Sequence, residues 1–590
     1  MLFKKGDRED PKNYRGISLV QVVTKIFTQI LLGRLEKWSS ENNHIPEFQA
    51  GFRQGRGCTD HIFTLSSIVK NQTGKGNWVH TAFVDFTRAF DSIDHTLLWD
   101  HLLKLKMDSR YVRLLQKLYN KACMCVRTPT GLSKEFQVTQ GVLQGEILSP
   151  FLFSLYINDL EDEFTSRNLR GVQIDSRTTV HLLAYADDVA LLGDSRGNLQ
   201  QKLKLLEEYC LRKGLTVNIP KTKVMTFNKS GRLIRSERHF YRDEELEVVA
   251  KFQYLGVVFI PSGLFHKAVQ DLVHKGNLAL GSVWSILVNS RMKSWDSRCR
   301  IFDSLSLVVV LYSAAVWGPW HVDDVNKFQN GLFKSLLRLP RCTPGYLLRL
   351  ETGREDAEVR IWRIVLRWWL RLLSMEADRY PRRCFEEQKR RDRERATEQL
   401  SPDYQNWATR IRLFLEHVQY GSLWLCEDLR TILKSLGNIN SLALDISHYS
   451  DRHRVADSSY SDIYRKFEFS RDPCPHLCMN LALEKIRIVA QLHLNGNYFF
   501  RIISRGEKHT FQPKEKCSIC TLQFNDDMFH FLFECTVYSA LRSEIQRNLG
   551  VYPALANFHR ILIMRYPIDV FSLYNFVRQA LNLRAWSLRE

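Results

Sequence analysis

Two adjacent carboxylates, those of Asp187 and Asp188, form the strongest chemical signal in the sequence. They lie in the middle of Val180–Gly193, which reads VHLLAYADDVALLG. Apolar residues lead up to this polar tip and away from it, a pattern that predicts two buried strands joined by a tight turn. Carboxylates among hydrophobic strands are costly unless a cation offsets their charge, and Mg²⁺ prefers oxygen ligands. The pair therefore indicates a magnesium site, with an ordinary hairpin and a solvated Asp-Asp turn as the alternative.

A third carboxylate stands at the end of an earlier strand pattern. Trp78–Phe86 alternates like a strand, and Asp85 is its terminal carboxylate. Phe90 follows five residues later and, taken alone, is best explained by core packing. Asp91 and Asp94 precede a predicted helix, and we interpret them as capping and structural groups rather than as metal ligands.

A loop rich in glycine and arginine precedes the first of these strands. Gln49–Asp60 reads QAGFRQGRGCTD and leads into a predicted helix at about residues 61–69. Glycines between arginines let both the backbone and the guanidinium groups approach a phosphate closely. Considered by itself, this segment is better explained by a plain surface loop.

Cysteine and histidine residues cluster near the C-terminus. The ligand-type residues are Cys517, Cys520, His530 and Cys535. Thiolates and an imidazole at this spacing suit tetrahedral Zn²⁺, and four protein ligands would make the site structural rather than catalytic. A second group, CPHLC at residues 474–478, has its ligands too close together for an obvious tetrahedral site, and we interpret it as a chance cluster.

Two basic segments in the second half each have two interpretations. Glu358–Leu373 is predicted to be a helix that carries an arginine stripe with interleaved tryptophans. These residues are Arg360, Arg363, Arg367 and Arg371, with Trp362, Trp368 and Trp369. They could follow a nucleic-acid backbone, or the tryptophans could be core residues and the arginines a solvated face. Arg379–Arg395 is a dense charge run and is predicted to be a solvated helix or a linker.

The overall composition favours a globular protein that meets a polyanion. The 590 residues include 84 Lys and Arg against 64 Asp and Glu, a net charge of +20. This excess suggests nucleic acid as a partner, although a generally basic surface would have the same composition. Thirteen cysteines and no secretory signal pattern favour a reducing, intracellular compartment. The longest apolar run, Leu305–Trp317, is too short to span a bilayer and is predicted to be a buried helix.

The YADD motif in its apolar hairpin resembles the catalytic motif of reverse transcriptases, and the surrounding sequence resembles the LINE-type, non-LTR retrotransposon branch. The likeness runs motif by motif from about Lys4 to Gly256, through YRGISL, GFR, TAFVDFTRAFDSIDH, QGVLQGEILSP and FQYLG. It implies an RNA-directed DNA polymerase of α+β class. The implied fold is a right-hand polymerase with fingers, a βαββ palm and a helical thumb, followed by a mainly helical C-terminal region with a small zinc knuckle.

The resemblance also implies roles for the acidic residues. Asp85, Asp187 and Asp188 would hold two Mg²⁺ ions, with Mn²⁺ as a substitute, for nucleotidyl transfer. The carboxylates of Asp85 and Asp187 should lie within a few ångströms of each other. Lys221, in an NxxKT segment, would protonate the departing pyrophosphate, although a solvated surface lysine is the alternative.

Other residues would surround the incoming nucleotide if the resemblance holds. They are Arg53, Phe90, Gln144, Gly145 and Tyr185. Arg53 would contact the triphosphate, with Arg56 and Lys5 as weaker candidates, and Phe90 would exclude a ribose 2′-hydroxyl. Glu146 departs from the small or thiol side chain that is usual at its position.

The resemblance divides the chain into five expected regions. They are fingers with a truncated N-terminus (1–75), palm (76–260), thumb (261–375), a helical C-terminal region or linker (376–505) and a zinc-knuckle region (506–590). Expected partners are an RNA template, a DNA primer or target and dNTPs, with no membrane. The expected location is the nucleus and the cytoplasm.

Two other functions compete with this interpretation. A truncated or domesticated remnant could bind nucleic acid through its basic surface and knuckle without catalysis, but the intact aspartates argue against it. An RNA-templated RNA polymerase is disfavoured by Phe90, because a small or polar residue would be expected where a ribose must fit.

Overall fold

The computed structural model describes residues 2–3, 6–10, 13–128, 131–289, 292–394, 405–426, 428–462, 464–467, 470–498, 500–549 and 566–588. The chain divides into two compact units. The first unit comprises Met1–Ala268 and Arg371–Thr409, and the second comprises Val269–Leu370 and Arg410–Glu590. The predicted class of mixed helix and sheet is confirmed.

The N-terminal elements alternate between helices and short strands. In chain order they are β1 (Leu2–Phe3), β2 (Tyr14–Arg15), α1 (Val22–Glu41), α2 (Cys58–Gly74), β3 (Val79–Val84), α3 (His95–Lys104), α4 (Ser109–Asn120), β4 (Cys123–Met124), β5 (Arg127–Thr128), β6 (Gly131–Leu132), β7 (Phe136–Gln137), α5 (Ser149–Tyr156), α6 (Leu160–Ser166), β8 (Val172–Gln173), β9 (Thr179–Val180), β10 (Leu182–Tyr185), β11 (Asp188–Gly193), α7 (Arg196–Lys213), β12 (Lys223–Phe227), β13 (His239–Tyr241), β14 (Glu244–Val248), β15 (Phe252–Tyr254) and β16 (Val257–Phe259).

The remaining elements are mostly helical. They are α8 (His266–Asn289), α9 (Trp295–Phe302), α10 (Val308–Val310), α11 (Ala314–Trp317), α12 (Val322–Leu337), α13 (Gly345–Thr352), α14 (Ala357–Ser374), α15 (Tyr380–Glu394), α16 (Trp407–His417), α17 (Leu429–Asp457), α18 (Pro475–Cys478), α19 (Leu483–His493), β17 (Phe500–Ser504), β18 (Glu507–Phe511), α20 (Ser539–Leu549) and α21 (Pro567–Ser587).

A six-stranded sheet organises the first unit. Its strand order is β10-β11-β3-β12-β14-β13. The pair β12 and β14 is parallel, and the other neighbours are antiparallel. The chain order β3, helices, β10 and β11 supplies the βαββ arrangement that the sequence predicts. All six residues of β3 are buried, so both faces of the sheet are covered at its centre.

Helices α2 and α7 both pack against β3. The sequence of Leu199–Lys213 predicts an amphipathic helix that ends at Gly214. Helix α7 confirms it, since it buries Leu203 and Leu206 and ends at Gly214, whose φ of 65° lies in the left-handed region that favours glycine. Helix α15 packs on α2, where the Gln388 side chain donates to Ser67 Oγ at 2.8 Å. The charge run at residues 379–395 is therefore helical as predicted, over Tyr380–Glu394. It is not solvated on the face that meets α2, which corrects that part of the prediction. Arg395 lies outside the described residues.

The second unit is a helical assembly with the β17–β18 hairpin attached. Helix α13 packs on α12 and α17, and α21 packs on α19 and α20. The apolar run at residues 305–317 is not one helix as predicted, because Ser313 has a left-handed φ of 52° that separates α10 from α11. In the described part of the chain, no single helix has the length and apolar character to cross a bilayer. The segments Trp295–Val310 and Ala314–Trp320 meet that test only as a pair bent by 67°.

Candidate active site

The predicted hairpin around the paired aspartates is present as β10 and β11. Tyr185 pairs with Asp188 across the hairpin, which leaves Ala186 and Asp187 as the turn. Ala186 is buried and has a φ of 56°, in the left-handed region that a residue with a side chain seldom adopts. The turn that carries the carboxylates is therefore strained, and the surrounding structure has to hold it in place.

Three strands bring Asp85, Asp188 and Lys221 to one end of the sheet. Val84 of β3 pairs with Val189 of β11, so Asp85 follows in the position opposite Asp188. Strand β12 pairs with the other side of β3, with Lys223 opposite Phe83, which brings Lys221 alongside Asp85. Asp187 lies in the turn directly before Asp188, the first residue of β11. The backbone therefore places all four residues at this end of the sheet.

Hydrogen bonds fix the backbone and the side chain of Asp85. Its N–H donates to Thr222 Oγ1 at 3.3 Å, and its carbonyl accepts from the Asn218 N–H at 2.7 Å. The Lys221 ammonium donates to Asp85 Oδ2 at 3.1 Å. About a third of the Asp85 side chain is exposed (34%), so the carboxylate is held by the loop before β12 yet open to solvent.

The donor chemistry at this end of the sheet fits a hard divalent cation. Asp85, Asp187 and Asp188 offer only carboxylate oxygens, and Asp85 already attracts a cation, the Lys221 ammonium. Within the described residues, three groups of His, Cys, Asp or Glu have ligand atoms all within 4.8 Å of one another, and these aspartates do not form one of them. Binding a cation by all three would thus draw the carboxylates together and release Lys221.

The Gln49 side chain clamps the strained turn on both sides. Its Oε1 accepts from the Ala186 N–H at 2.9 Å, and its Nε2 donates to the Ala186 carbonyl at 3.3 Å. The same Oε1 accepts from the Gly51 N–H at 2.9 Å. Gln49 is fully buried, so these bonds are shielded from water. The clamp satisfies both backbone groups of the left-handed residue and fixes the position of the adjacent carboxylates.

The segment that carries Gln49 lies along β10. The Ala184 N–H donates to the Phe48 carbonyl at 2.7 Å, and the Ala50 N–H donates to the Ala184 carbonyl at 2.9 Å. His61 Nε2 lies 2.9 Å from the Phe48 carbonyl and 3.0 Å from that of Ala184, so this nitrogen must carry the proton. Burial lowers the pKa of His61 to about 4, which keeps the ring neutral.

A side chain at position 51 would collide with the turn. A Cβ on Gly51 would lie 2.3 Å from the Ala186 nitrogen, so only glycine fits there. The sequence predicts a loop rich in glycine and arginine here but gives Gln49 and Gly51 no role, so both contacts were missed. The sequence signal that could have found them is the pair of Gln49 and Gly51, separated only by Ala50 and placed directly before the Phe-Arg pair.

The two arginines of this loop have different environments. Arg53 Nη1 donates to the carbonyls of Pro46 at 2.8 Å and Gln49 at 3.0 Å, which orient the guanidinium without neutralising it. Arg56 instead forms an ion pair with Glu47. Burial, helped by the charge of Arg56, lowers the pKa of Arg53 to about 10, so Arg53 stays charged at neutral pH. Lys5 lies outside the described residues.

Phe90 lies on a turn that hydrogen bonds to the segment before α5. Its carbonyl accepts from the Val142 N–H at 2.8 Å. Its half-buried ring stacks on the fully buried ring of Phe153, with centroids 4.9 Å apart. Gln144 Nε2 donates to Asp91 Oδ1 at 3.4 Å, which brings Gln144 to the same turn. The ring of Phe90 is thus supported from below and open on its other side.

The remaining predicted residues near this turn have clear local partners. Asp94 accepts from the Leu97 N–H at 3.0 Å and caps α3, as predicted. Gly145 has a φ of 108°, and a Cβ there would lie 2.7 Å from the Ser18 carbonyl. Glu146 is buried and accepts from the Leu148 N–H at 2.7 Å, so it supports the start of α5. Burial raises the pKa of Tyr185 to about 12, which keeps its hydroxyl protonated.

The predicted knuckle ligands come together in the second unit. Cys517, Cys520, His530 and Cys535 offer ligand atoms that all lie within 4.8 Å of one another. Near the cluster, Asp526 forms a buried two-point ion pair with Arg584 of α21, with Nη1 to Oδ1 at 3.0 Å. The last helix is therefore tied to the loop that carries these ligands.

The basic stripe of α14 is mostly engaged within the protein. All three tryptophans are buried, and Trp362 stacks on Phe414 with centroids 4.1 Å apart. Three of the arginines form ion pairs, namely Arg360 with Asp303, Arg363 with Glu355 and Arg371 with Asp60. These contacts favour the core interpretation of this helix over the one in which it follows a nucleic-acid backbone. The fourth arginine, Arg367, is exposed.

Comparison with known proteins finds a family match in the first half of the chain. Residues 3–259 match the family model described as reverse transcriptase (RNA-dependent DNA polymerase). The protein named "Probable RNA-directed DNA polymerase from transposon BS" of Drosophila melanogaster is 24% identical over 63% of this chain and 41% of its own length. The "RNA-directed DNA polymerase from mobile element jockey" of Drosophila funebris is 23% identical over 59% of this chain and 38% of its own length.

Both matches are partial, and the chain spans less than half of the length of these curated relatives. Among solved structures, a telomerase from Candida albicans in complex with a TWJ fragment of telomeric RNA is similar at 14% identity. That likeness covers 53% of this chain and 55% of the telomerase chain, with a TM-score of 0.31.

Proposed function

We propose that the chain is an RNA-directed DNA polymerase of the LINE-like, non-LTR retrotransposon kind, because residues 3–259 match the reverse transcriptase family and the similar curated proteins are named RNA-directed DNA polymerases. The observation that carries the proposal is the meeting of Asp85, Asp187 and Asp188 at one end of the six-stranded sheet. The proposed reaction joins a deoxynucleotide to a primer 3′-hydroxyl opposite an RNA template, with loss of pyrophosphate.

The proposed cofactor is a pair of Mg²⁺ ions, which Mn²⁺ could replace. Asp85 and Asp187 would hold both ions and Asp188 would assist more weakly. When bound, such ions lower the pKa of the attacking hydroxyl and offset the charge that develops on the phosphates. The Gln49 clamp and the ladder between β3 and β11 would keep the three carboxylates in register before substrate arrives.

Basic and aromatic residues would position the nucleotide. Arg53 is pre-oriented by two carbonyls and would bind the triphosphate. Lys221 would leave Asp85 and donate its proton to the departing pyrophosphate. The other residues proposed to surround the nucleotide are Phe90, Gln144, Gly145 and Tyr185.

The test of this function is primer extension on a poly-rA template with an oligo-dT primer, dTTP and Mg²⁺. We expect extension that depends on both the RNA template and the divalent cation. Salt-dependent RNA binding without any extension would instead support the non-catalytic remnant.

The proposal extends to the rest of the chain. Residues 1–75 would be fingers, 76–260 palm and 261–375 thumb, followed by a helical region to 505 and the knuckle region. Cys517, Cys520, His530 and Cys535 would hold a structural Zn²⁺ ion and help to grip nucleic acid. The proposed partners are template RNA, primer or target DNA and dNTPs, and the proposed location is the nucleus and the cytoplasm.

The Gln49 clamp gives a prediction about positioning. Gln49→Leu leaves the buried Ala186 N–H and carbonyl without their partners, at a cost of about 1–3 kcal/mol. If the turn then shifts to restore these bonds, the carboxylates move with it, and we expect extension to slow by roughly ten- to a hundredfold. Single-turnover extension measures this effect.

A matched variant separates this role from general damage. Gln54→Leu changes an exposed glutamine in the same loop and should leave the rate within about twofold of wild type. Equal rates for Gln49→Leu and wild type would show that the clamp does not position the carboxylates.

Phe90 gives a prediction about sugar selection. Removing its ring with Phe90→Ala leaves space where a 2′-hydroxyl would otherwise clash, since the ring is half-exposed above Phe153. We expect discrimination between dTTP and UTP to fall by roughly ten- to a hundredfold, in line with about 1–3 kcal/mol for a small steric difference in a pocket. The ratio of kcat/KM for the two nucleotides measures it. Phe136→Ala, at an exposed ring on β7, is the control, and an unchanged ratio for both variants would assign Phe90 to packing alone.

A further inference from the structure

A second cluster of ligand-type side chains surrounds Glu351 in the second unit. Glu351 lies on α13 and is fully buried. His493 Nδ1 lies 2.8 Å from its Oε1, and Cys474 Sγ lies 3.2 Å from its Oε2. The ligand atoms of these three residues all lie within 4.8 Å of one another. A fourth group, His476 Nε2, lies 3.4 Å from Glu351 Oε1.

One nitrogen in this cluster has no hydrogen-bond partner among the described residues. His476 is 1% exposed, and its Nε2 faces the Glu351 carboxylate beyond hydrogen-bonding geometry. A buried polar atom without a partner is uncommon and calls for an explanation, such as an ion that the nitrogen would ligate. The nitrogen lies beside the same carboxylate that Cys474 and His493 contact.

The charge of Glu351 needs a counterion. An ionised carboxylate with no exposure is costly unless a cation lies beside it. In the described part of the chain, the ion-pair partners of Glu351 are the imidazoles of His476 and His493, with no lysine or arginine. A divalent cation bound by one carboxylate, one thiolate and two neutral imidazoles would give a centre with no net charge.

The backbone already holds the ligands together. The Cys474 N–H donates to the Glu351 carbonyl at 2.9 Å. Gly353 has a φ of 65°, and a Cβ there would lie 2.5 Å from the Pro473 nitrogen, so this close approach requires glycine. The Tyr464 hydroxyl donates to Glu351 Oε2 at 2.9 Å. Hydrogen bonds of this kind orient a carboxylate that binds a metal.

We propose that Glu351, Cys474, His476 and His493 form a structural Zn²⁺ site that is separate from the knuckle. Zinc bonds of about 2.0–2.3 Å in a tetrahedron place ligand atoms roughly 3.3–3.8 Å apart. The ligand atoms of Glu351, Cys474 and His493 already lie within 4.8 Å of one another, and His476 Nε2, 3.4 Å from Glu351 Oε1, would move toward the other two to complete the tetrahedron. On binding, the Cys474 thiol loses its proton to solvent and the imidazoles bind as neutral ligands.

This site also changes the interpretation of the CPHLC segment. The sequence analysis took residues 474–478 for a chance cluster because their ligands are too close together. The structure supplies the missing ligands from α13 and α19, and it leaves Cys478 exposed, with Sγ 3.5 Å from the Pro473 carbonyl. Cys478 is therefore the natural control for Cys474.

The test measures zinc in the purified full chain by inductively coupled plasma mass spectrometry. A Cys517→Ser/Cys520→Ser variant removes the knuckle, and we expect it to retain one zinc per chain. Adding Cys474→Ser should remove that zinc, whereas adding Cys478→Ser should leave it in place. A folded knuckle variant without zinc, or one that keeps its zinc after Cys474→Ser, would overturn the proposal.

A second measurement serves if the knuckle variant does not fold. X-ray absorption spectroscopy at the zinc edge of the wild-type chain reports the average set of ligand atoms around each zinc. The knuckle alone has three sulfurs and one nitrogen, from the four residues of that cluster. Two occupied sites together average two sulfurs and two nitrogen or oxygen atoms per zinc. An average of three sulfurs at one zinc per chain would show that the Glu351 cluster is a metal-free hydrogen-bond network.

Discussion

Asp187→Asn is expected to abolish primer extension. The substitution keeps the size of the side chain and its place in the turn but removes a negative charge from the end of the sheet, where Asp85 and Asp188 also lie. A neutral amide is a poor ligand for Mg²⁺, and the loss of charge stabilisation amounts to several kcal/mol. We therefore expect the rate to fall by roughly a thousandfold or more. Single-turnover extension on poly-rA, with the wild-type chain alongside, measures the effect.

Two further aspartates, one at each end of β11, show whether the effect belongs to the site. Asp188→Asn should slow extension by less than Asp187→Asn, because we assign Asp188 the weaker role. Asp194→Asn lies just beyond the other end of β11, at an exposed position, and should leave the rate near that of wild type. Activity in Asp187→Asn within tenfold of wild type would exclude the proposed metal chemistry at this turn.

The elements that the sequence predicts well are those specified by local patterns. The hairpin around Asp187 follows from apolar runs on either side of a polar turn. Helix α7 and its end at Gly214 follow from periodic leucines and a residue that adopts a positive φ without strain. Asp94 caps α3 because a short acidic side chain reaches a free N–H three residues later. In each case the interacting groups are close in sequence.

The features that the sequence analysis missed depend on contacts across long stretches of chain. Gln49 clamps Ala186, which lies 137 residues later, and neither residue type indicates the other. Glu351 meets His493 and Cys474 in the same way, so the short spacing of CPHLC was misleading. The arginine stripe of α14 shows a related limit, since periodicity identifies a face but not what covers it. Ion pairs with Asp303 and Glu355 cover two of its arginines.

Charge density was also a poor guide to burial in α15. The run at residues 379–395 looks solvated because 12 of its 17 residues are charged. In the structure its helix packs on α2, with Cys384 and Phe385 buried. Arg379 can be buried because it meets two carboxylates, Asp60 at 2.5 Å and Glu47 at 2.8 Å. A buried charge of this kind can be recognised only when its partners are known.

Arg379→Gln is accordingly expected to loosen α15 from α2. Asp60 is almost fully buried, and without Arg379 its remaining described partner is Arg371, whose side chain is 42% exposed. Burial raises the pKa of Asp60, and the two arginines oppose that rise, so losing one leaves the carboxylate poorly compensated. Breaking a buried ion pair in this way costs about 3–5 kcal/mol. We expect amide exchange along α2 to accelerate by roughly a hundredfold or more in hydrogen–deuterium exchange.

The same helix provides the control, and Asp60 provides the rescue. Arg382→Gln removes a more exposed pair with Glu386 one turn along α15 and should change the exchange of α2 by less than about threefold. Adding Asp60→Asn to Arg379→Gln removes the uncompensated charge, so the double variant should exchange more slowly than Arg379→Gln alone. If the double variant is instead worse, the arginine contributes through packing rather than charge.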